Sequence, residues 1–403
     1  MFSARAVTFV NAMLPGVPSP TTLRVYASRI AAIGEPPHRS DEQLDCDGDW
    51  LLPGLINAHD HLELNNFGRL KWHERYTNVR DWIADFEPRF KYHPALTGPM
   101  SVPLADRLFI SGLKNLLSGV TTVAHHNPLH PLLKRPDYPV RVVQRYGWSH
   151  SLLLDGEAQV QSSFRRTPAG RPWIIHLAEG VDAEAAQELT RLDALGCLRA
   201  NTVIVHGVGL TPADRALLLA RGAGLIWCPS SNLFMLGATA EITELAAHGR
   251  VALGTDSRLS GERDLLDELR AAHAATGMSA NALLPLVTTN AARLLRLPDL
   301  GVRRPGALAD LLILPAGPTP LEPGPAADLS RTSVRLVMRA GRVLYADPCY
   351  ASAFTATGVT ARPISVDGCE KLLQRTHYDR LRACSIQEPG VTAEGLGESS
   401  APP

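Results

Sequence analysis

The sequence has few of the features that mark secreted, membrane or disulfide-stabilised proteins. Its 403 residues include only six cysteines, none in a CxxC pair, so neither a disulfide scaffold nor a structural zinc knuckle is indicated. No stretch approaches the ~18 uninterrupted apolar residues of a membrane span. The first residues, MFSARAVTFVNAMLPG, lack the continuous apolar segment of a signal peptide. We therefore expect a cytoplasmic protein with no membrane contact.

An excess of charge of one sign is also absent. Lys+Arg and Asp+Glu both number 40, and the basic residues form no stripe. A nucleic-acid partner is therefore not expected. The chain is longer than the roughly 250 residues of an α/β barrel, so it has room for additional structure.

Two kinds of segment divide the chain. Short β-like segments lie near both ends, in AVTFVNAMLP, TLRVYASRIAAIG and QLDCDGDWLL and again in ADLLILPAG and SVRLVMRAGRVLYA. Between them, apolar runs such as GVTTVAHH, NTVIVHGVGL and RVALGTDS alternate with helical patterns such as TPADRALLLARG, which is typical of a parallel α/β fold. We predict a barrel over residues 54–305 and a composite β domain from residues 1–53 and 306–350. Residues 351–403 would form a C-terminal extension, and its last stretch, IQEPGVTAEGLGESSAPP, is predicted to be disordered.

Polar residues with metal-binding side chains follow the apolar runs. They are His59 and His61 after LLPGLINA, His176 after WII, His206 after TVIV, and Asp256 after VALGT. The carboxyl ends of parallel strands lie on one face of such folds, so we expect these five residues to converge. Alternate residues of a strand point to the same side, which pairs His59 with His61 and turns Asp60 away. The nitrogen and oxygen donors suit Zn²⁺ or a similar divalent ion.

Each of these histidines, taken alone, is more often a solvated or hydrogen-bonded side chain than a ligand. The recurrence of such residues at four successive strand ends is what favours a metal site. We therefore interpret the chain as an enzyme.

These motifs together resemble those of the amidohydrolase superfamily, in its mononuclear deaminase and chlorohydrolase-like branch. PGLINAHDH is similar to the HxH motif of the first barrel strand, HLAEG to the HxxE of the fifth, VHGVGL to the histidine of the sixth, and GTDS to the aspartate of the eighth. CPSSNLFML and TTNAARLLRLPDLGVRRPGALADLLIL also look like segments of that branch. The resemblance implies a distorted (β/α)₈ TIM barrel with a composite β-sandwich domain built from the N- and C-terminal segments. Only about fifty residues separate His125 from His176, so the third and fourth strands must be compressed.

The resemblance also implies roles for the site residues. His59, His61, His176 and Asp256 would hold one divalent metal, Zn²⁺ in preference to Fe²⁺ or Mn²⁺. Asp256 would also accept a proton from the water, Glu179 would act as general acid and base, and His206 would orient the hydroxide. Lys134 is the only lysine between Gly119 and His176 and looks like a loop residue, which favours a single metal. The alternative for Glu179 is a structural carboxylate in the first turn of a helix.

The predicted function is hydrolytic deamination of a small nitrogen heterocycle similar to a purine, pyrimidine or pterin, by a metal-activated hydroxide. A chlorohydrolase or a cyclic amide hydrolase on the same scaffold is the alternative, and the intact ligand set argues against a catalytically inactive scaffold. Glu63, His126 and Trp72 are candidate substrate contacts, although Glu63 could lie at the surface and Trp72 could pack against the barrel. A homodimer is possible, but the only argument for it is analogy with relatives. The sequence does not identify the substrate.

Overall fold

The computed structural model describes residues 6–317 and 329–393. These residues form a mixed α/β structure with parallel strands at its centre and additional antiparallel β-sheet, as expected from the alternating pattern. All six cysteines are free. Within the described ranges, no helix combines the length and the apolar character needed to cross a membrane.

The strands in chain order are β1 (Val7–Ala12), β2 (Thr21–Tyr26), β3 (Arg29–Ile33), β4 (Glu42–Asp45), β5 (Trp50–Pro53), β6 (Leu55–Asp60), β7 (Val120–His125), β8 (Arg141–Val142), β9 (Gly147–Ser149), β10 (Trp173–Leu177), β11 (Thr202–His206), β12 (Gly224–Trp227), β13 (Val251–Leu253), β14 (Leu311–Leu314), β15 (Leu336–Arg339), β16 (Arg342–Ala346), β17 (Ala361–Val366), β18 (Cys369–Gln374) and β19 (Val391–Ala393).

The α-helices are α1 (Val79–Arg89), α2 (Pro94–Ser101), α3 (Leu104–Leu117), α4 (Leu152–Asp155), α5 (Glu157–Arg166), α6 (Glu188–Ala194), α7 (Pro212–Arg221), α8 (Pro229–Leu236), α9 (Thr243–Ala247), α10 (Leu265–Thr276), α11 (Ala280–Leu283), α12 (Thr289–Leu294), α13 (Ala351–Ala356) and α14 (Arg375–Arg382).

Eight parallel strands form the centre of the molecule, in two sheets. One sheet has the order β6-β7-β8 and the other β13-β12-β11-β10-β9. The two sheets meet at β6 and β13, where the backbone N–H of Asp256 donates to the carbonyl of His59 at 3.1 Å. On the opposite side β8 and β9 have only two and three residues. The compression expected between His125 and His176 therefore falls on these two strands.

Local sequence signals explain why the intervening helices form. At α7, Thr211 and Asp214 make a reciprocal capping box, and Pro212 occupies the first turn, where its missing N–H costs nothing. Gly222 ends the same helix in the left-handed conformation (φ 69°). The next strand, β12, then starts two residues later at Gly224.

Two further sheets pack outside the parallel strands. The N-terminal strands form a four-stranded mixed sheet in the order β3-β2-β1-β4, in which only β1 and β4 are parallel. Strand β5 joins a seven-stranded antiparallel sheet in the order β19-β17-β18-β16-β15-β14-β5. Buried apolar side chains from both sheets share one core, including Phe9, Leu23, Ile313 and Met338. The N-terminal and late segments thus come together as one β unit.

The C-terminal extension adds to this unit. Strands β17, β18 and β19 complete the seven-stranded sheet. The segment CEKLLQRTHYDRLRAC contains strand β18 followed by helix α14. Residues 386–393, predicted to be disordered, instead include β19 and a fully buried Glu388. The predicted disorder of residues 394–403 lies outside the described residues.

Glu268 on α10 anchors the N-terminal turn of α8. Its carboxylate accepts hydrogen bonds from the backbone N–H of Ser230, at 3.0 Å, and from the Ser230 hydroxyl. Burial raises the pKa of Glu268 from its ordinary value of 4.5 to about 8. The folded protein therefore keeps a proton that the unfolded chain loses near pH 4.5. This stabilisation is complete below pH 4.5 and is lost as pH rises through about 8.

We predict that Glu268→Gln removes this pH dependence, because a glutamine can accept from the backbone N–H without becoming charged. Between pH 6 and pH 9 the wild type should lose about 3 kcal/mol of unfolding free energy relative to the variant, because about two pH units of the shifted range lie in that interval. Urea denaturation at both pH values measures the difference. Exposed Glu244→Gln is the matched control and should follow the wild type. An equal pH response of wild type and Glu268→Gln would contradict the assignment.

Candidate metal centre and active site

The five residues predicted to converge lie together at the carboxyl ends of β6, β10, β11 and β13. The Nε2 atom of His176 lies 3.2 Å from Nε2 of His59 and 3.3 Å from Nε2 of His61. Asp256 Oδ1 lies 3.6 Å from His61 Nε2 and 4.0 Å from His59 Nε2. Two groups of three residues have ligand atoms within 4.8 Å of one another: His59, His176 and His206, and His59, His61 and Asp256.

The backbone at two of these strand ends has an uncommon conformation. His206 and Asp256 have φ angles of 75° and 55°. Non-glycine residues rarely adopt this left-handed region, and such residues concentrate at functional sites because the surrounding structure must hold them there. His206 ends β11, Asp256 lies three residues after the end of β13, and both side chains join the cluster.

The imidazoles of the cluster are uncharged. Burial lowers the pKa of His61 and of His206 to about 3. The pKa values of His59 and His176 are also well below the ordinary value, mainly through burial and further through the neighbouring imidazoles. Neutral imidazole is the form that binds metals.

Hydrogen bonds on the outer nitrogens leave the inner nitrogens of two histidines without protons. His176 Nδ1 donates to the carbonyl of His150 at 2.8 Å, so its Nε2 is an unprotonated acceptor. His126 donates from Nε2 to the carbonyl of Ser149 at 2.8 Å, and its Nδ1 can therefore accept the Nδ1 proton of His59 at 3.4 Å. Two Nε2 lone pairs thus face each other at 3.2 Å. A cation bound by these atoms would remove the repulsion between the lone pairs, and the donor set fits a divalent metal ion.

Asp256 and His206 are each held by neighbours on the β12–α8 segment and the loop after β13. The Ser231 and Ser260 hydroxyls donate to Asp256 Oδ2 at 2.7 and 2.9 Å, which leaves Oδ1 facing the histidines. The Asn232 amide donates to His206 Nδ1 at 2.9 Å, so the proton of that neutral ring is on Nε2. His206 Nε2 lies 3.5 Å from Glu179 Oε1.

Glu179 is buried beside the cluster. In the described part of the chain, no lysine or arginine forms an ion pair with it. Burial, with a further contribution from Asp256, raises its pKa well above the ordinary value. Its backbone carbonyl accepts from the N–H of Val79 at the start of α1. The carboxyl lines a cavity of about 250 Å³ that His61, His176, His206 and Asp256 also line.

Asp60 points away from the cluster, as the strand alternation predicts. Its carboxylate lies 3.3 Å from Lys114 Nζ and accepts from the Asn65 and Asn115 amides. Both charged side chains are fully buried. This pair supports β6 from the side opposite the metal donors.

The three candidate substrate contacts are not among the residues that line the cavity. Strand β6 ends at Asp60 and continues as a 3₁₀ turn, so Glu63 turns towards Asn127 and His125 instead of the cavity. His126 lies behind His59, stacked on His176 with ring centroids 4.2 Å apart. Trp72 packs edge-on against Phe86, at 4.6 Å. Because none of the three lines the cavity, their contact with substrate stays a prediction.

Other residues do line the cavity and had no role in the sequence interpretation. They are Asn127 and His150 on the polar side, and Val79, Ile83, Leu154 and Met235 on the apolar side. Trp82 lines it as well. No strand-end pattern marks the apolar positions, because they come from helices α1, α4 and α8. His150 follows a strand of only three residues, β9, which is too short to be recognised in the sequence.

Comparison with known proteins identifies one family. The amidohydrolase family matches residues 167–344. A 5'-deoxyadenosine deaminase from Methanothrix thermoacetophila is 37% identical over 335 residues, which cover 72% of this chain and 80% of that protein.

Two solved structures have a similar fold. A zinc complex of atrazine chlorohydrolase from Arthrobacter aurescens has a TM-score of 0.67 at 20% identity, over 84% of this chain and 95% of that one. An adenosine deaminase from Xanthomonas campestris with bound zinc has a TM-score of 0.66 at 20% identity, over 84% and 92%.

We predict that His126→Phe weakens divalent-metal binding by about 10–100-fold, the usual effect of removing a partner that orients a ligand histidine. Phenylalanine keeps the ring stacked on His176 but cannot accept the Nδ1 proton of His59. Competition with a fluorescent chelator measures the affinity. His377→Phe, at a buried histidine remote from the cluster that bonds the carbonyl of Asp137, is the control. Unchanged affinity in His126→Phe would show that His59 needs no such partner.

Proposed function

Because the chain belongs to the amidohydrolase family, we propose that it is a metal-dependent hydrolase that deaminates a small nitrogen heterocycle. One observation carries this proposal. A buried carboxyl group with a raised pKa, Glu179, opens onto the same cavity as a cluster of uncharged histidines and an aspartate. A proton donor beside a metal centre is the arrangement that hydrolysis of an amino-substituted ring requires.

The residues proposed to hold the metal are His59, His61, His176 and Asp256. Zn²⁺ is favoured because the donors are nitrogen and oxygen atoms and because two structures of similar fold contain zinc. A divalent ion held there supplies the Lewis acidity that makes water a nucleophile at neutral pH. His206 is proposed to stay outside the ligand set, since its Nε2 proton is directed to Glu179.

Glu179 is proposed as the proton carrier. Burial raises the pKa of its carboxyl, which favours the protonated form. In that form it can donate a proton to a ring nitrogen, which makes the adjacent carbon more electrophilic. The resulting carboxylate can then take up the proton that Asp256 accepts from the attacking water and pass it to the departing amine.

Asp256 is proposed to accept a proton from the attacking water, and His206 is proposed to stabilise the negative charge that develops. Asp256 Oδ1 faces the cluster and can accept the proton of the water, while Ser231 and Ser260 stabilise the other oxygen. His206 can donate its Nε2 proton to negative charge on the tetrahedral intermediate.

We also propose that the eight parallel strands form a distorted (β/α)₈ barrel over residues 54–305, with residues 1–53 and 306–350 as the composite β domain. The contact of β6 with β13 supports closure on one side, and the short β8 and β9 account for the distortion. The predicted boundary at residue 351 does not coincide with a structural boundary, because β17–β19 belong to the same sheet as β14–β16. The cytoplasmic location and the homodimer stay predictions.

A chlorohydrolase is the second candidate, favoured by the similar fold of the atrazine chlorohydrolase. The same proton donor and nucleophile would then displace chloride from a ring carbon. A cyclic amide hydrolase would open the ring instead.

We predict that the zinc-loaded protein releases ammonia from at least one member of a panel of amino-substituted purines, pyrimidines, pterins and triazines. Enzyme-coupled detection of ammonia measures this. Parallel assays of chloride from the chloro-substituted rings and of ring-opened product separate the alternatives. Chloride or ring-opened product without any ammonia would exclude deamination.

We predict that Glu179→Gln lowers kcat by about 10²–10⁴-fold, the usual contribution of general acid–base catalysis, and leaves the metal bound. His176→Ala should lose both activity and metal, because it removes a proposed ligand. Metal analysis by atomic emission and steady-state kinetics test the pair. Full activity in Glu179→Gln would refute the acid–base role, and a metal-free Glu179→Gln would make Glu179 a ligand.

A further inference from the structure

The cavity above the metal donors has two chemically different sides. Apolar side chains from α1, α4, α8 and the loop after β13 make most of its wall: Val79, Trp82, Ile83, Leu154, Met235 and Leu259. The polar side contains the Asn127 amide and the His150 imidazole, which are 3.2 Å apart and hold each other in place. A substrate here meets hydrogen-bonding groups on one side and hydrocarbon on the other.

No lysine or arginine lines this cavity within the part of the chain that the structure describes. Two arginines in neighbouring segments are already paired. Arg80 on α1 bonds Glu184, and Arg258, two residues after Asp256, makes bonds of 2.9 and 2.6 Å to both Glu388 oxygens. The two acidic side chains that line the cavity, Glu179 and Asp256, supply no positive charge either. A carboxylate or phosphate at the cavity mouth would therefore find no lysine or arginine as a counter-ion.

The rim of the cavity exposes hydrocarbon to water. Leu154 is 51% exposed although it lines the cavity, and Leu153 beside it is 44% exposed. Large aliphatic side chains at a cavity mouth gain most when an apolar group of a ligand covers them. The volume of about 250 Å³ lies just below the usual range for ligand pockets, roughly 300–1,000 Å³, so the ligand must be small.

We propose that the site takes an uncharged aminoheterocycle whose aliphatic substituent packs against Leu154 and Ile83, and that it discriminates against the same ring bearing a carboxylate or phosphate. This inference rests on the proposed deaminase function. It adds a selectivity that the catalytic groups do not impose. Leu154 is the specificity-determining residue, since it lies where the substituent leaves the cavity.

The test compares two adenine derivatives that differ only in charge, 9-propyladenine and 9-(2-carboxyethyl)adenine. Adenine is chosen because a similar protein is named for an adenine nucleoside. Calorimetric titration into the zinc-loaded Glu179→Gln variant measures binding apart from turnover. We expect the neutral probe to bind at least about tenfold more tightly, because the carboxylate would lose hydration without gaining a partner.

Two arginine substitutions in this background assign the selectivity to the cavity mouth. Leu154→Arg should narrow or reverse the preference by supplying the missing counter-ion. Leu153→Arg adds the same charge one residue away, at an exposed position that does not line the cavity, and should leave the preference unchanged. If the two variants change the binding preference equally, the change comes from long-range electrostatic attraction, and the role of Leu154 is overturned.

The outcomes separate this inference from the proposed function. Equal binding of both probes, tighter binding of the carboxylate, or no binding of either would overturn the inference, even if the wild type releases ammonia from another ring. Selective binding of 9-propyladenine, with no ammonia released by the wild type from any aminoheterocycle, would overturn the deaminase function and leave the selectivity standing.

Discussion

The contact between the first and the last parallel strand is the constraint on which the site depends. The backbone N–H of Asp256 donates to the carbonyl of His59, and a side chain at Gly254 would place its first carbon only 2.6 Å from the Cβ of His59. A glycine is therefore required at position 254, directly after β13. This approach brings donors from opposite ends of the parallel region into one cluster. It also explains why residues so far apart in sequence can share a metal ion.

A buried polar network lies beside the contact between β6 and β13 and continues to the C-terminal extension. Asp60 and Lys114 pair in the interior, and the Asn65 side chain bonds both of them and the backbone N–H of Arg258. Arg258 in turn pairs with buried Glu388. The extension therefore braces the loop that follows Asp256. Removing one charge of such a network costs more than the pair contributes, because the other charge is left buried and unpaired.

The convergence of the candidate metal ligands could be predicted from the sequence, whereas their surroundings could not, for physical reasons. Strand alternation and the common face of parallel strands depend on backbone geometry alone, so the convergence of His59, His176 and Asp256 could be predicted. Glu63 could not be placed, because the strand stops at Asp60 and a 3₁₀ turn follows. The composition of residues 386–393 suggested disorder, yet Glu388 is buried by arginines distant in sequence. Long-range pairing of this kind leaves no local pattern.

A single physical property, exclusion of water, prepares several parts of the site at once. Burial lowers the pKa of the histidines, which keeps their lone pairs available, and it raises the pKa of Glu179, which favours its protonated form. Opposite shifts in bases and acids follow because burial disfavours the charged form of each. The same buried environment penalises a substrate that brings its own charge without a partner. The chemistry of the site and its selectivity therefore have a common origin, since a cavity that hydrated ions well would also return the pKa values of Glu179 and the histidines towards their ordinary values.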